Sequence, residues 1–407
     1  MPDTSTMREN KNMPDIRLDR TFWPVGHGAF YTERFYNHED KRVFTAVYDC
    51  GGKISPHINH FCHSVKEIDY LFVSHFHRDH INGLSYLLKH TAIKHIVLPQ
   101  IEETELVESY IYNAMTETED NVEENSVAQS FIKEQLSNKE FGREAQVIEV
   151  LPYSEGGNES EQPNGRYGQV VSGYHFEIPD STSGKPFWVY IPVNIYHDSK
   201  QYQTLIAELN NICNTINVGH VIDKNGKINW SSIDAILSNR AKEVKGKYKN
   251  IFKEHNHYSM PVFSGPVIGA PRHWFIEDTD VFDETWYHDI HWRRFHRYIS
   301  HNKRLLSCLY MGDFEAKKPN NMATLIAELK DYYYRAGLQQ VPHHYSRHNH
   351  NEDLYENRIL AFGNVDDHKD VSYCHSIFRE IRDSMFLPPL VITEDDVRKE
   401  IIYEIYC

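Results

Sequence analysis

The chain lacks most of what would place it outside the cell or in a membrane. Its six cysteines (Cys50, Cys62, Cys213, Cys308, Cys374 and Cys407) are scattered, with no Cys-x-x-Cys pair. That spacing fits reduced thiols in a cytoplasmic protein and speaks against a disulfide framework or a cysteine-built zinc finger. No stretch approaches the roughly 18 consecutive apolar residues of a transmembrane helix, so no membrane association is expected. Residues 1–20 are polar and have no apolar signal-peptide core, which reads as a flexible cytosolic tail. Positive charge is also scarce, 43 Lys and Arg against 58 Asp and Glu, for a net charge of −15. Such a balance argues against indiscriminate coating of nucleic acid. It leaves room for a nuclease, because two divalent ions and a local basic patch can dominate the field of one cleft.

Histidine is abundant, with 26 residues, and the 407-residue chain is long enough for one large domain with an insertion, or for two. Four metal-binding side chains crowd into Ser74-His75-Phe76-His77-Arg78-Asp79-His80. The apolar run 69–73 before it reads as a buried strand, and Gly83 with 84–88 after it as the start of a helix. The turn thus lies at the carboxyl end of a strand, where α/β sheets build their sites. Side chains alternate along extended backbone, so His75 and His77 project to one side, while Asp79 and His80 face a neighbouring point beyond the bend. Two imidazoles for one ion, and a carboxylate with an imidazole for a second, suit zinc, with manganese and iron as rivals.

Elsewhere, 42–48, 93–99, 145–151, 187–195, 305–313, 358–364 and 387–393 read as strands. Gly26-His27-Gly28 predicts a tight turn whose backbone lies close to another segment. Between 102 and 142, Leu106, Val107, Tyr110 and Ile111, then Val127, Phe131, Ile132 and Leu136, recur at helical spacing. They predict two amphipathic helices with solvated acidic faces.

Val25-Gly26-His27-Gly28, then Asp49-Cys50-Gly51, then His75-x-His77-x-Asp79-His80 form an ordered series. It resembles the metallo-β-lactamase fold family and, within it, the competence-type branch, the hydrolase domain of ComEC-like DNA-uptake proteins. The resemblance implies a mixed α/β fold, a four-layer αββα sandwich with metals at one edge, built by residues 21–100 and 251–396. Residues 101–250 are then an insertion, a lid or docking element for a protein partner, and 397–407 a carboxy-terminal segment. The branch usually has glutamine and aspartate where His27 and Ala29 stand, so the turn carries over and those two side-chain roles do not.

Further site residues follow from the resemblance alone. Asp49 shores up the metal turn through hydrogen bonds. A histidine ligand falls just before a strand, His255 by its offset from Ser259, with His257, His288 and His291 as alternatives. Asp313, at the Gly-Asp end of a strand, bridges two ions, and one of His343 and His344 is a ligand. His344 is the ligand on this reading, leaving His343 to touch substrate or to support the ligands from behind. Tyr345 replaces a glycine of the branch, narrowing the pocket or placing a phenol near the leaving group. His368 matches a histidine that donates to a substrate oxygen, and Asp79, His343 and His368 form the catalytic set. The implied activity is that of a hydrolase with two zinc ions, manganese being the alternative. It acts on nucleic acid or another phosphodiester, as an effector of prokaryotic antiphage defence. The alternatives are hydrolysis of a small ester, amide or peptide, and a catalytically weak partner module.

Overall fold

The computed structural model describes residues 15–53, 55–100, 102–116, 122–136, 145–153, 167–180, 183–195, 200–252, 259–270, 273–279, 281, 303–346, 349–356, 358–366, 377, 380–381, 387, 389–396 and 398–406. Three strands open the chain in an antiparallel meander, β1 (Ile16–Phe22), β2 (Tyr31–Asn37) and β3 (Arg42–Tyr48). Parallel to β3 follow β4 (Glu67–Phe72), β5 (Ala92–Pro99), β6 (Gln146–Leu151) and β7 (Tyr167–Val171). A second sheet starts with β8 (Phe176–Pro179), β9 (Pro186–Pro192) and β10 (Val262–Pro266), and β11 (His273–Thr279) returns to the first. Next, β12 (Cys308–Tyr310), β13 (Leu338–Gln340), β14 (Leu360–Asn364) and β15 (Leu390–Ile392) extend the second sheet in parallel. The last strand, β16 (Lys399–Tyr406), inserts between β11 and β1. The first sheet has the order β11-β16-β1-β2-β3-β4-β5-β6-β7 and the second β15-β14-β13-β12-β10-β9-β8.

Side chains alternate across each strand, and the alternation assigns them to layers. Ala46, Tyr48, Phe72 and Val97 join Trp188, Tyr190, Tyr310 and Phe362 in a core between the sheets. Their neighbours Val47, Leu71 and Ile96 pack outward against helices α1 (Ser55–Ser64), α3 (Leu84–His90), α4 (Glu103–Met115), α6 (Lys200–Thr215) and α7 (Trp230–Ile251). On the far side, Val189, Ile191 and Leu309 meet Leu325 and Leu329 of α8 (Pro319–Leu329). Burial on both faces is why these strands read as continuous apolar runs. The short α2 (Arg78–Ile81) carries the metal turn, and α5 (Val122–Ser130) packs beside it. The result is the expected mixed α/β sandwich of two sheets with helices outside.

Two parts of the expected layout differ. Residues 101–250 are not set apart from the sandwich: β6 and β7 lie in the first sheet, β8 and β9 in the second. Within the carboxy-terminal segment, β16 also joins the sandwich: it pairs with β1 from Lys399 to Ile405, and Ile401, Tyr403 and Ile405 are buried. Among the described residues, no helix is long and apolar enough to cross a membrane.

Candidate metal centre

The metal turn is held by backbone packed directly on backbone. Cys50 N donates to His80 O, and Ala29 N donates to Asp79 O. A Cβ at Gly51 would fall 2.3 Å from both Asp79 C and His80 N, and one at Gly28 would fall 2.5 Å from Gly51 O. These contacts explain the glycines and give Gly26-His27-Gly28 the neighbour its pattern predicted. Asp49, fully buried with φ 55°, aims its carboxylate at the turn. Oδ1 accepts from Ser74 N at 2.7 Å, while Oδ2 accepts from Ser74 Oγ at 2.7 Å and lies 2.8 Å from His80 Nδ1.

The opposite wall is a loop at the end of β13. His343, His344 and Tyr345 have φ of 49°, 49° and 63°, three successive side-chain-bearing residues in the left-handed region. Such residues cost on the order of 1–3 kcal/mol each and persist where surrounding structure over-determines them. Here His343 N donates to Gly312 O, and Tyr345 is buried with its hydroxyl donating to Leu390 O at 3.0 Å. The phenol therefore pins β15 instead of facing a leaving group. The expected pocket role of Tyr345 is overturned, because the loop turns its side chain into the core beside Gly363.

Between these walls, Asp313 is buried at the end of β12, its N–H donated to Ser259 Oγ at 3.0 Å. Its two carboxylate oxygens divide the cluster. Oδ1 lies 3.2 Å from His80 Nε2 and 3.6 Å from His344 Nε2, while Oδ2 lies 3.7 Å from His75 Nε2 and 3.7 Å from His343 Nε2. Asp79 Oδ2 is 3.1 Å from His344 Nε2 and 3.5 Å from His80 Nε2. Two groups of potential ligands result, Asp79, His80, Asp313 and His344, and His75, His77 and Asp313, all buried, with Asp313 common to both.

The donor set fits divalent ions. Each ring nitrogen turned away from the centre has an outer partner: His75 Nδ1 faces Ser74 Oγ, His80 Nδ1 faces Asp49, and His344 Nδ1 faces Asn364 O. That leaves the Nε2 atoms of these three toward the centre, as second partners do at metal sites. Asp313 Oδ1 and His80 Nε2 are buried and make no hydrogen bond among the described residues. Burial opposes charge at Asp79 and Asp313, but the surrounding histidines outweigh it and hold both carboxyls well below the usual carboxylate range. Burial likewise opposes protonation of His80, and Asp79, Asp313 and Asp49 outweigh it, raising its pKa well above the ordinary histidine value. The cluster is therefore suited to positive charge, which metal cations would supply.

At the rim, Asn349 Nδ2 donates to Asp313 O at 3.3 Å and stands 2.7 Å from His343 Nδ1. A carbonyl can only accept, which fixes the amide nitrogen on that side, so His343 Nδ1 must accept as well. Neutral His343 then carries its proton on Nε2, the nitrogen facing the centre. Across the site, the His27 ring lies against that of His344, with centroids 3.9 Å apart and planes tilted by 34°, and its Nε2 is 3.8 Å from Asp79 Oδ2. Burial and then the neighbouring His344 lower its pKa to about 4.

The structure thus gathers His75, His77, Asp79, His80, Asp313 and His344, places Asp49 behind them and His343 at their edge. His255, His257, His288, His291 and His368 lie outside the described residues. His27, Ser259, Asn349 and Glu108 were not identified as working side chains from the sequence. For Glu108 a signal existed, a carboxylate amid the apolar positions Val107 and Ile111 of α4. For Asn349 there was none.

A two-sheet α/β sandwich with a buried His/Asp cluster at the ends of its strands is the class these features define. A family model described as "Anti-Pycsar protein Apyc1" matches residues 21–146, the part that holds the Gly-x-Gly loop, Asp49, the metal turn and α4. No curated protein matches the chain. Among solved structures, one titled "Crystal structure of a long form RNase Z from yeast" is 8% identical, with a TM-score of 0.28. The alignment covers 95% of this chain, which spans 38% of that one.

Proposed function

We propose that the protein is a metal-dependent phosphodiesterase that holds two divalent ions, zinc or alternatively manganese, across Asp313. The observation that carries this reading is the division of labour in one carboxylate. Asp313 Oδ1 serves the Asp79–His80–His344 group and Oδ2 serves the His75 side. Two bound ions would supply a nucleophile at neutral pH and a positive field for developing charge.

The chain's own residues account for the rest. A phosphodiester transition state spreads charge over oxygens that need donors. His343, tied by Asn349 in the tautomer with its proton on Nε2, offers such a donor 3.7 Å from Asp313 Oδ2. His368 is proposed as a second. A role in antiphage defence, with nucleic acid or another phosphodiester as substrate, belongs to the same proposal; the family model matched by residues 21–146 is described as an anti-Pycsar protein.

The test is turnover of bis-nitrophenyl phosphate and of a nitrophenyl ester by the zinc- and manganese-loaded protein, alongside single- and double-stranded DNA and RNA. The phosphodiester should be cleaved, and His343→Ala should lower its turnover about a hundredfold, the usual cost of one lost donor, at unchanged metal content. Cleavage of the ester alone would overturn the reading in favour of a small-ester hydrolase.

A further inference from the structure

The apolar spacing after β5 predicts helices whose acidic faces are solvated, α4 among them. Glu108 breaks that expectation, because it is only 4% exposed. A buried carboxylate is costly unless paired and hydrogen-bonded. Tyr248 of α7 donates its hydroxyl to Glu108 Oε1, and Ser109 Oγ donates to Oε2 at 3.4 Å. Among the described residues no lysine or arginine pairs with Glu108, and the ion-pair partner it does have is His77, with Nε2 at 3.8 Å from Oε2.

The same helix holds His77 from three further directions. One turn on from Glu108, Tyr112 stacks on the His77 ring, centroids 3.9 Å apart and planes 21° apart. Asn113, fully buried, accepts from Arg78 N at 2.8 Å and donates to Phe76 O at 3.2 Å. The peptides on both sides of His77, its ring face and its Nε2 edge are therefore all fixed by α4. Glu108 and Tyr112, four apart, share one face of the helix, and Asn113 follows one residue on.

We infer that Glu108 is the positioning carboxylate of His77 and that α4 and α7 form a wall of the metal centre. This rests on the two-ion reading above. A carboxylate charge 3.8 Å from Nε2 favours the tautomer with its proton there, which leaves Nδ1 as the donor to a cation. Glu108 would thus act on one ion group, the one containing His75 and His77, and leave the other alone. Tyr248 would act one step further out, by holding Glu108 in place.

The inference is tested by zinc stoichiometry and affinity, measured by chelator competition on the full chain and on Glu108→Ala, Glu108→Gln and Tyr248→Phe. Glu108→Ala should weaken one of two ions about ten- to a hundredfold, as losses of outer partners do, with the second ion unchanged. Glu108→Gln keeps an acceptor oxygen and should recover part of that affinity, with the metal-free protein melting near the wild-type temperature. Tyr248→Phe should shift the same ion by less. Wild-type affinity for both ions in the two Glu108 variants would overturn the inference. So would complete loss of one ion in a folded Glu108→Gln, which would make Glu108 a ligand. If the wild type itself binds no ion, it is the two-ion reading that fails.

Discussion

The two loops that face each other across Asp313 are fixed by opposite means. Residues 75–80 sit on glycines: Gly51 leaves no room for a Cβ against Asp79 and His80, and the Asp49 carboxylate catches Ser74 and His80 from behind. Residues 343–345 contain no glycine and adopt left-handed backbone regardless, held by Gly312 O at one end and by Leu390 O on the Tyr345 hydroxyl at the other. The first loop is shaped by close approach of main chains, the second by a tertiary grip strong enough to hold strained residues. Strain of that kind gathers at functional sites, where rigid geometry matters more than local stability.

Substitutions separate the two mechanisms. Asp313→Ala removes the side chain that both loops face, and residual hydrolysis should fall below a few percent of wild type; a folded variant that keeps more would remove Asp313 from the bridging position. Asp49→Ala acts on the first loop alone and should weaken metal retention about ten- to a hundredfold, measured by equilibrium dialysis. Unchanged retention would mean that backbone packing suffices to aim His80. Gly51→Ala must displace the turn or the strand end, at a cost of about 1–3 kcal/mol typical of overpacking, read from chemical denaturation. A neutral result would show the loop to be looser than described. The smallest effect belongs to the second loop: Tyr345→Phe leaves Leu390 O without its donor, costing about 1 kcal/mol, with activity within twofold of wild type. A large loss of turnover there would restore the phenol to the active site.

The same contrast governs how far the sequence could be read. The first loop is local: strand, turn and helix follow one another, and four ligands stand in six residues, so pattern alone suggested a metal site. Asp313 and His344 were reachable only through the resemblance, because nothing near them in sequence announces which carboxylate or which of two adjacent histidines turns inward. The twist of the 343–345 loop reversed the expectation for Tyr345, since a left-handed tyrosine is set by tertiary contact and has no signature of its own. The strand runs were legible from their apolar character. Which sheet each joined was not, so β6 to β9 were assigned to an insertion although they belong to the sandwich. Glu108 stands amid apolar positions of α4, a signal outweighed in the sequence by the rule that charge is seldom buried.

The account stands on two ions sharing Asp313, and that can be seen directly. Anomalous diffraction from zinc-loaded crystals, paired with elemental analysis of the same protein, should give two ions per chain, one on the Asp79, His80 and His344 side and one on the His75 and His77 side, with Asp313 between them. One ion per chain, or two ions not joined through Asp313, would contradict it.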